Sequence, residues 1–116
     1  EPLGPLVRHG DHQWGDVVRW SLNAMIIAEE LGVTSENVDA QKSSNVPEVL
    51  RLLGVEGSYG EMLELAPDWA YQIIKQIGNY SESYEANVGP DTPLEIARGL
   101  NALWTQGGIL YAPPFR

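Results

Sequence analysis

The sequence predicts an all-α domain, a bundle of about seven mostly short helices around one long central helix, with short extended arms at both termini. The apolar periodicity of residues 11–32 indicates the central helix. Helix-start residues followed three positions later by Glu recur along the rest of the chain. Segments suited to strands are confined to the two ends. Because 116 residues suffice for one core, we expect a single helical domain over residues 1–116.

The predicted central helix runs from Asp11 to Gly32 and should be buried on most sides. Its two adjoining apolar stripes are Trp14, Val17, Val18, Met25 and Ala28, and Trp20, Ala24, Ile27 and Leu31, beside a narrow polar strip of Asp16, Arg19, Asn23 and Glu30. Asp11 can accept hydrogen bonds from the free amides of the first turn, and Gly32 can adopt the left-handed conformation that ends a helix.

The flanking segments are shorter. Residues Glu1 to Gly10 contain two prolines and suit an extended arm or a short strand. After the central helix, Thr34 or Ser35 can begin a helical turn that continues to Val38, and a loop follows at 41–44.

Start and stop signals predict four further short helices. They begin at Asn45, Ser58, Asp68 and Asn79, and they end at Gly54, before Pro67, at Gly78 and before Gly89. The pairs Asn45 with Glu48, Ser58 with Glu61 and Asn79 with Glu82 have the spacing of a capping box.

The strongest start signal is Thr92, Pro93, Leu94 and Glu95, which combines a hydroxyl cap, proline at the first helical position and the reciprocal Glu. A helix is therefore predicted to about Thr105. Its buried residues would be Ile96, Ala97, Leu100, Leu103 and Trp104, and Gly107 and Gly108 would end it. Residues 109–112 suit a short strand, which Pro113 and Pro114 would stop.

Composition excludes several classes of function. The net charge of −9 and the absence of adjacent basic residues argue against a phosphate-binding patch. Without cysteine there is no disulfide, thiolate metal site or thiol nucleophile. The longest apolar run, Ala24 to Ala28, is too short for membrane insertion. Because the chain opens on Glu1, we expect it to be either processed or a piece of something longer.

No constellation of residues predicts catalysis or metal binding. His9, Asp11, His12 and Asp16 have metal-ligand side chains, but their spacing fits no strong zinc pattern, and a solvated helix start explains them better. Ser21 lacks a nearby base and suits packing with a hydrogen bond to a backbone carbonyl, and Glu29 and Glu30 should face solvent. The sequence therefore predicts no catalytic residue, no metal ligand and no cofactor.

Two other groups have both a functional and a structural interpretation. Tyr59, Tyr80, Tyr84 and Tyr111 could line a ligand groove, but half-buried packing is the more common role of such tyrosines. Asn79 with Ser81 formally fits a glycosylation acceptor, although a helix cap explains the same residues.

Five stretches together carry a resemblance to a known family. They are EPLGPLVRHGD, WAYQIIKQIGNY, NVGPDTPL, RGLNALWTQGG and LYAPPFR. The combination resembles the C-terminal region, about the last third, of the general L-amino-acid-binding subunits of bacterial ABC transporters. The resemblance implies a periplasmic solute-binding protein with two α/β lobes, an amino acid as ligand and an ABC permease as partner. A segment like Glu1 to Arg8 would be a strand returning to the first lobe.

The Arg and Asp that grip the ligand in such proteins lie mainly in the earlier two thirds, so no ligand-binding residue can be assigned here. The resemblance thus implies a non-enzymatic structural portion that buttresses the first lobe. The alternative is a stand-alone helical module with helix-turn-helix-like nucleic-acid binding, carried by residues 34–65. Only Lys42 and Arg51 are basic between Glu29 and Leu65, which weighs against it. An enzyme is a third option, for which no constellation is visible.

Three expectations follow for the isolated chain. It should show no saturable binding of free L-amino acids, and it should not bind DNA or RNA at physiological salt. It should form a symmetric homodimer, because apolar arms without a partner recruit another chain. The residues expected in that interface are Leu3, Leu6, Val7, Ile109, Leu110 and Tyr111, or Trp14 and Trp20. The alternative is that the arms fold back on their own domain.

Overall fold

A computed structural model describes residues 3–116, so Glu1 and Pro2 of the predicted arm lie outside the described residues. The α-helices are α1 (His12–Glu30), α2 (Val38–Gln41), α3 (Pro47–Leu52), α4 (Tyr59–Met62), α5 (Trp69–Gln76) and α6 (Tyr80–Asn87). Two short 3₁₀ helices follow at Gly99–Asn101 and Trp104–Gln106. Among residues 3–116, β-pairing is limited to one isolated parallel bridge between Leu103 and Leu110. None of the helices in this range is both long and apolar enough to cross a membrane.

Helix α1 lies at the centre and contacts α3, α5 and α6, while α2 packs against α5. Its ends agree with the prediction. Asp11 Oδ1 accepts a hydrogen bond of 3.1 Å from the Trp14 amide, and Gly32 takes φ +70° after the last turn. The predicted burial is wrong in one respect: Trp14, placed in the first apolar stripe, is exposed. Full burial is concentrated in the second half of α1, where the other helices converge.

The core joins that half of α1 to the other helices and to the C-terminal tail. Its fully buried apolar residues are Ala24, Ile26, Ile27, Ala28, Val33, Val38, Val49, Leu52, Leu53, Trp69, Ala70, Ile74, Leu103, Ala112 and Phe115. Phe115, the penultimate residue, lies 5.5 to 5.6 Å from the rings of Trp20, Tyr59 and Trp69. The tail therefore closes the core instead of forming a free arm.

The capping predictions have mixed outcomes. The capping box at α6 is confirmed, since Asn79 and Glu82 exchange both hydrogen bonds. The box predicted at Asn45 is wrong, because α3 begins two residues later at Pro47 and Ser44 Oγ accepts from the Val46 amide instead. Helices α4 and α5 begin after Ser58 and Asp68 as predicted, but neither side chain makes the capping hydrogen bond.

The helix predicted over residues 92–105 is wrong. Thr92 Oγ1 donates to the Gly89 carbonyl, and the Ile96 amide donates to the Val88 carbonyl. Glu95 takes φ +50°, which a right-handed helix does not allow. Hydrogen bonds to the end of α6 thus take the place of the helix that the local sequence predicts. Of the five residues predicted to be buried in that helix, only Leu103 is fully buried. Residues 109–112 form no strand beyond the single bridge.

Candidate functional site

One ion pair lies well inside the fold, between Arg98 and Glu29 of α1. Arg98 Nη1 is 3.0 Å from Glu29 Oε1, and the two side chains are 16% and 9% exposed. Arg98 also donates to the Asn101 carbonyl and lies 5.4 Å from the ring centroids of Tyr80 and Tyr84. The prediction that Glu29 faces solvent is therefore wrong, because the loop after α6 returns to α1 and covers it. This pair fixes residues 98–101 on the helices.

A second polar cluster joins the end of α1 to the start of α6. Glu82 accepts hydrogen bonds from the hydroxyl and amide of Ser35 and from the Asn79 amide. The buried side chain of Asn79 donates to the Val33 carbonyl at 2.9 Å. Burial raises the pKa of Glu82, but these hydrogen bonds outweigh it and bring the pKa below the usual 4.5. The cluster holds two loops together and leaves Asn79 too enclosed to serve as a glycosylation acceptor.

A third cluster lies at the surface between α2 and α5. Lys75 Nζ donates to Asp39 Oδ2 at 2.6 Å, and the Tyr71 hydroxyl donates to Asp39 Oδ1 at 2.6 Å. The hydrogen bond from Lys75, followed by that from Tyr71, lowers the pKa of Asp39 below 3.8. Lys42 Nζ lies 3.5 Å from the Tyr71 ring centroid. The geometry is that of a solvent-exposed link between two helices.

These clusters decide whether the described residues can grip a free amino acid. A substrate carboxylate needs a sheltered guanidinium with donors to spare, and Arg98 has the most buried side chain of the arginines that form ion pairs. Its Nη atoms already bind Glu29 and Asn101. Arg51 is paired with Glu48 at 3.6 Å, and Arg8 and Arg116 are exposed near the chain ends. The arrangement therefore serves internal cohesion.

The residues considered above for metal binding, together with Ser21, lie outside these three clusters. His9, Asp11, His12 and Asp16 line a shallow depression at the start of α1, and residues 3–116 contain no group of three or more His, Asp or Glu side chains that could hold a metal ion. Ser21 Oγ donates to the Val17 carbonyl at 2.7 Å, as predicted for a packing role.

The four tyrosines do not meet in one groove. The rings of Tyr80 and Tyr84 are 6.3 Å apart, whereas Tyr59 lies against Phe115 and Tyr111 against Trp104. Tyr59 and Phe115 also border an apolar pocket of about 130 Å³ with Trp20 and Trp69. Sequence periodicity could not find this pocket, since Phe115 lies beyond the last predicted element.

Four large apolar residues of the segment 98–116 are exposed, namely Leu100, Trp104, Ile109 and Tyr111, which we name the 100–111 surface. Their exposed fractions are 67%, 53%, 70% and 60%. The Ile109 amide donates to the Leu100 carbonyl at 2.9 Å, and the rings of Trp104 and Tyr111 are 6.3 Å apart, edge to face. Short backbone contacts thus bring residues from a loop and the tail together.

Comparison with known proteins gives close relatives that are much longer than this chain. No model of a protein family matches the sequence. The chain is 58% identical over 118 residues to YhdW of Escherichia coli K12, which is named as an amino-acid ABC transporter-binding protein. It is 55% identical over 117 residues to the glutamate/glutamine/aspartate/asparagine-binding protein BztA of Rhodobacter capsulatus. Both matches cover 100% of this chain but only 34% and 35% of the relatives.

A solved structure gives the same result for the fold. It is that of an ABC transporter periplasmic binding protein from Brucella ovis with glutathione bound. The TM-score is 0.90 at 51% identity, over 95% of this chain and 35% of that one. The predicted resemblance to amino-acid-binding proteins of ABC transporters is confirmed, and the predicted periplasmic location agrees with the name of this structure. The chain spans about a third of the relatives it matches, and no comparison supports nucleic-acid binding.

Proposed function

We propose that this chain is a structural portion of a periplasmic amino-acid-binding protein of an ABC importer and does not itself grip the ligand. The observation that carries the proposal is the identity of 58% along the whole chain to a binding protein of which it covers 34%. Residues 3–116 then act as a scaffold that supports a ligand site formed by other residues of the binding protein, and this role is non-enzymatic.

The internal polar contacts support this role. The most buried cation, Arg98, is neutralised by Glu29, and the partly buried Glu82 is satisfied by Ser35 and Asn79. An amino acid loses strong hydration of its carboxylate and ammonium on binding, so it needs charged partners that are not already engaged. Most charged groups that remain among the described residues are exposed, where water competes with the ligand. The exception is Arg51, which is 27% exposed and has a buried Nε without a hydrogen-bond partner, but its guanidinium is paired with Glu48 at 3.6 Å.

The names of the relatives also favour a scaffold. BztA is named for four amino acids, whereas the Brucella ovis protein holds glutathione, yet both share more than half of their residues with this chain over the matched region. A segment that keeps about half of its residues identical to each of two proteins with different ligands is better suited to common architecture than to selectivity. The ligand of a protein that contains this chain is therefore set by other residues.

The test compares the isolated chain with a chimera in which it replaces the matched segment of BztA. In isothermal titration we expect no saturable binding of L-glutamate to the isolated chain. The chimera should bind L-glutamate, because the scaffold is restored to a complete protein. The proposal is wrong if the isolated chain binds at micromolar concentration, or if the chimera fails to bind.

The sequence also predicts a homodimer of the isolated chain. Leu3 and Leu6 are almost fully exposed, as that expectation requires. The tail, however, is anchored by Phe115 and is not a free arm. The mass of the isolated chain in light scattering tests the dimer. For a complete binding protein, the proposed partners are the amino acid and the ABC permease.

A further inference from the structure

We infer that the 100–111 surface is an interface for the polypeptide that corresponds to the remaining two thirds of the relatives' chains. This inference rests on the proposed function and specifies where the scaffold is attached. The sequence predicts a buried helix face for Leu100 and Trp104 and a short terminal strand for Ile109 and Tyr111, whereas all four are exposed.

The four residues are linked in two pairs, and the extended segment 109–111 joins one pair to the other. Ile109 and Tyr111 are exposed, whereas the alternate residues Leu110 and Ala112 turn toward the core. The Trp104 ring meets Tyr111 at 6.3 Å, and the backbone of Leu100 is hydrogen-bonded to that of Ile109. Exposed apolar side chains that cluster are typical of interaction sites, whereas single exposed apolar residues are ordinary.

The backbone under the 100–111 surface is held firmly before any partner arrives. Leu103, 2% exposed, anchors the loop in the core and pairs with Leu110 in the isolated bridge. Arg98 clamps the Asn101 carbonyl through its ion pair with Glu29. A surface ordered in advance loses less conformational entropy on association, so its apolar area can contribute more to binding.

The length of the relatives identifies the occupant. In the Brucella ovis protein the same fold, with a TM-score of 0.90, is only 35% of a longer chain. The rest of such a chain is present at an effective concentration that a second copy of this chain could not reach in dilute solution. We therefore assign the 100–111 surface to contact within one binding protein.

The experiment measures the same substitution in two settings, the isolated chain and the BztA chimera. In the isolated chain Leu100→Asp should change the unfolding midpoint by no more than about 1 °C, because the side chain is already in water. In the chimera it should lower the midpoint by about 5 °C or more, because the carboxylate would be buried without a partner. Ile109→Asp should behave in the same way.

Val55→Asp serves as the matched control, since Val55 is an apolar residue that is 51% exposed and lies in the turn after α3. Its effect should be equal in the two settings. The inference is overturned if Leu100→Asp is tolerated by a chimera that binds L-glutamate, or if Val55→Asp destabilises the chimera equally. A dimer of the isolated chain that Leu100→Asp dissociates would assign the surface to a second copy instead. Loss of L-glutamate binding by the unmutated chimera would refute the proposed function and is a separate result.

Discussion

Substitution of Phe115 by Ala should destabilise the isolated chain severely, although Phe115 is the residue before the last. Terminal residues are usually poorly ordered and tolerant of change, so a large effect at this position is expected only if the tail is buried as the structure shows. Phe115 is only 7% exposed and contacts Trp20 edge to face, Trp69 in a stacked arrangement and Tyr59 at a tilt. Removing its ring removes three aromatic contacts at once.

The magnitude follows from the packing. Burial of a Phe side chain contributes about 1.5 to 3 kcal/mol, and aromatic pairs add about 0.5 to 1.5 kcal/mol each. Truncation of a buried Phe to Ala costs about 3 to 5 kcal/mol in total. An open pocket already borders the ring, so the ring lacks packing partners on that side, fewer contacts are lost on truncation and the cost should lie near the lower limit. We expect a loss of about 3 kcal/mol in the free energy of unfolding.

Urea denaturation followed by circular dichroism measures this loss. Arg116→Ala is the matched control because Arg116 is the exposed neighbour, and its effect should stay within about 0.5 kcal/mol. A loss of less than about 1 kcal/mol for Phe115→Ala would refute the reasoning, because it would mean that the tail does not close the core.

Three further outcomes are expected. Arg98→Met should lower the free energy of unfolding by about 3 kcal/mol, since it leaves the Glu29 carboxylate charged and sheltered from water. Adding Glu29→Met should recover part of that loss. A loss under about 1 kcal/mol for Arg98→Met alone, in the same urea assay, would contradict this prediction. Ser35→Ala should cost about 1.5 kcal/mol at pH 7, because it removes a hydrogen bond to the Glu82 carboxylate. The folded pKa of Glu82 is depressed, so its contribution is fully present above the unfolded value of 4.5 and is lost as pH falls from there through the lower folded pKa. The difference between wild type and Ser35→Ala should therefore shrink on acidification below pH 4.5, and a difference independent of pH would exclude the carboxylate as its origin. Finally, fluorescence anisotropy at about 150 mM salt should detect no binding of a DNA duplex, since a net charge of −9 repels phosphate, and retained binding with a steep salt dependence would restore the helix-turn-helix alternative.

Local signals predicted the fold best where the chain had no competing contact. The start of α1 at Asp11, its end at Gly32 and the capping box of Asn79 with Glu82 are all present, because each depends on residues within one turn of one another. The boundaries after Ser58 and Asp68 also agree. The resemblance to amino-acid-binding proteins was likewise available from short stretches spread along the chain.

The clearest failure lies at Thr92 to Glu95, where the local pattern was strongest. A helix there would satisfy its own amides, but the Ile96 amide bonds to Val88 and Arg98 reaches Glu29, 69 positions earlier in the chain. Helix propensities amount to less than about 1 kcal/mol per residue, so a sheltered ion pair and loop hydrogen bonds can override them. The same long-range contacts removed Glu29 from solvent and exposed Leu100.

By itself the sequence determined a helical chain with one dominant helix, an acidic surface unsuited to phosphate and a family resemblance, since composition and local periodicity carry all three. Only the tertiary structure decided which side of residues 92–111 meets solvent, which cation is neutralised inside the fold and how Phe115 closes the core. Those features depend on residues far apart in sequence meeting in space: Arg98 with Glu29, Ser35 with Glu82, and Phe115 with Trp20. Burial, which decides each of these contacts, is a property of the assembled fold and not of any one segment.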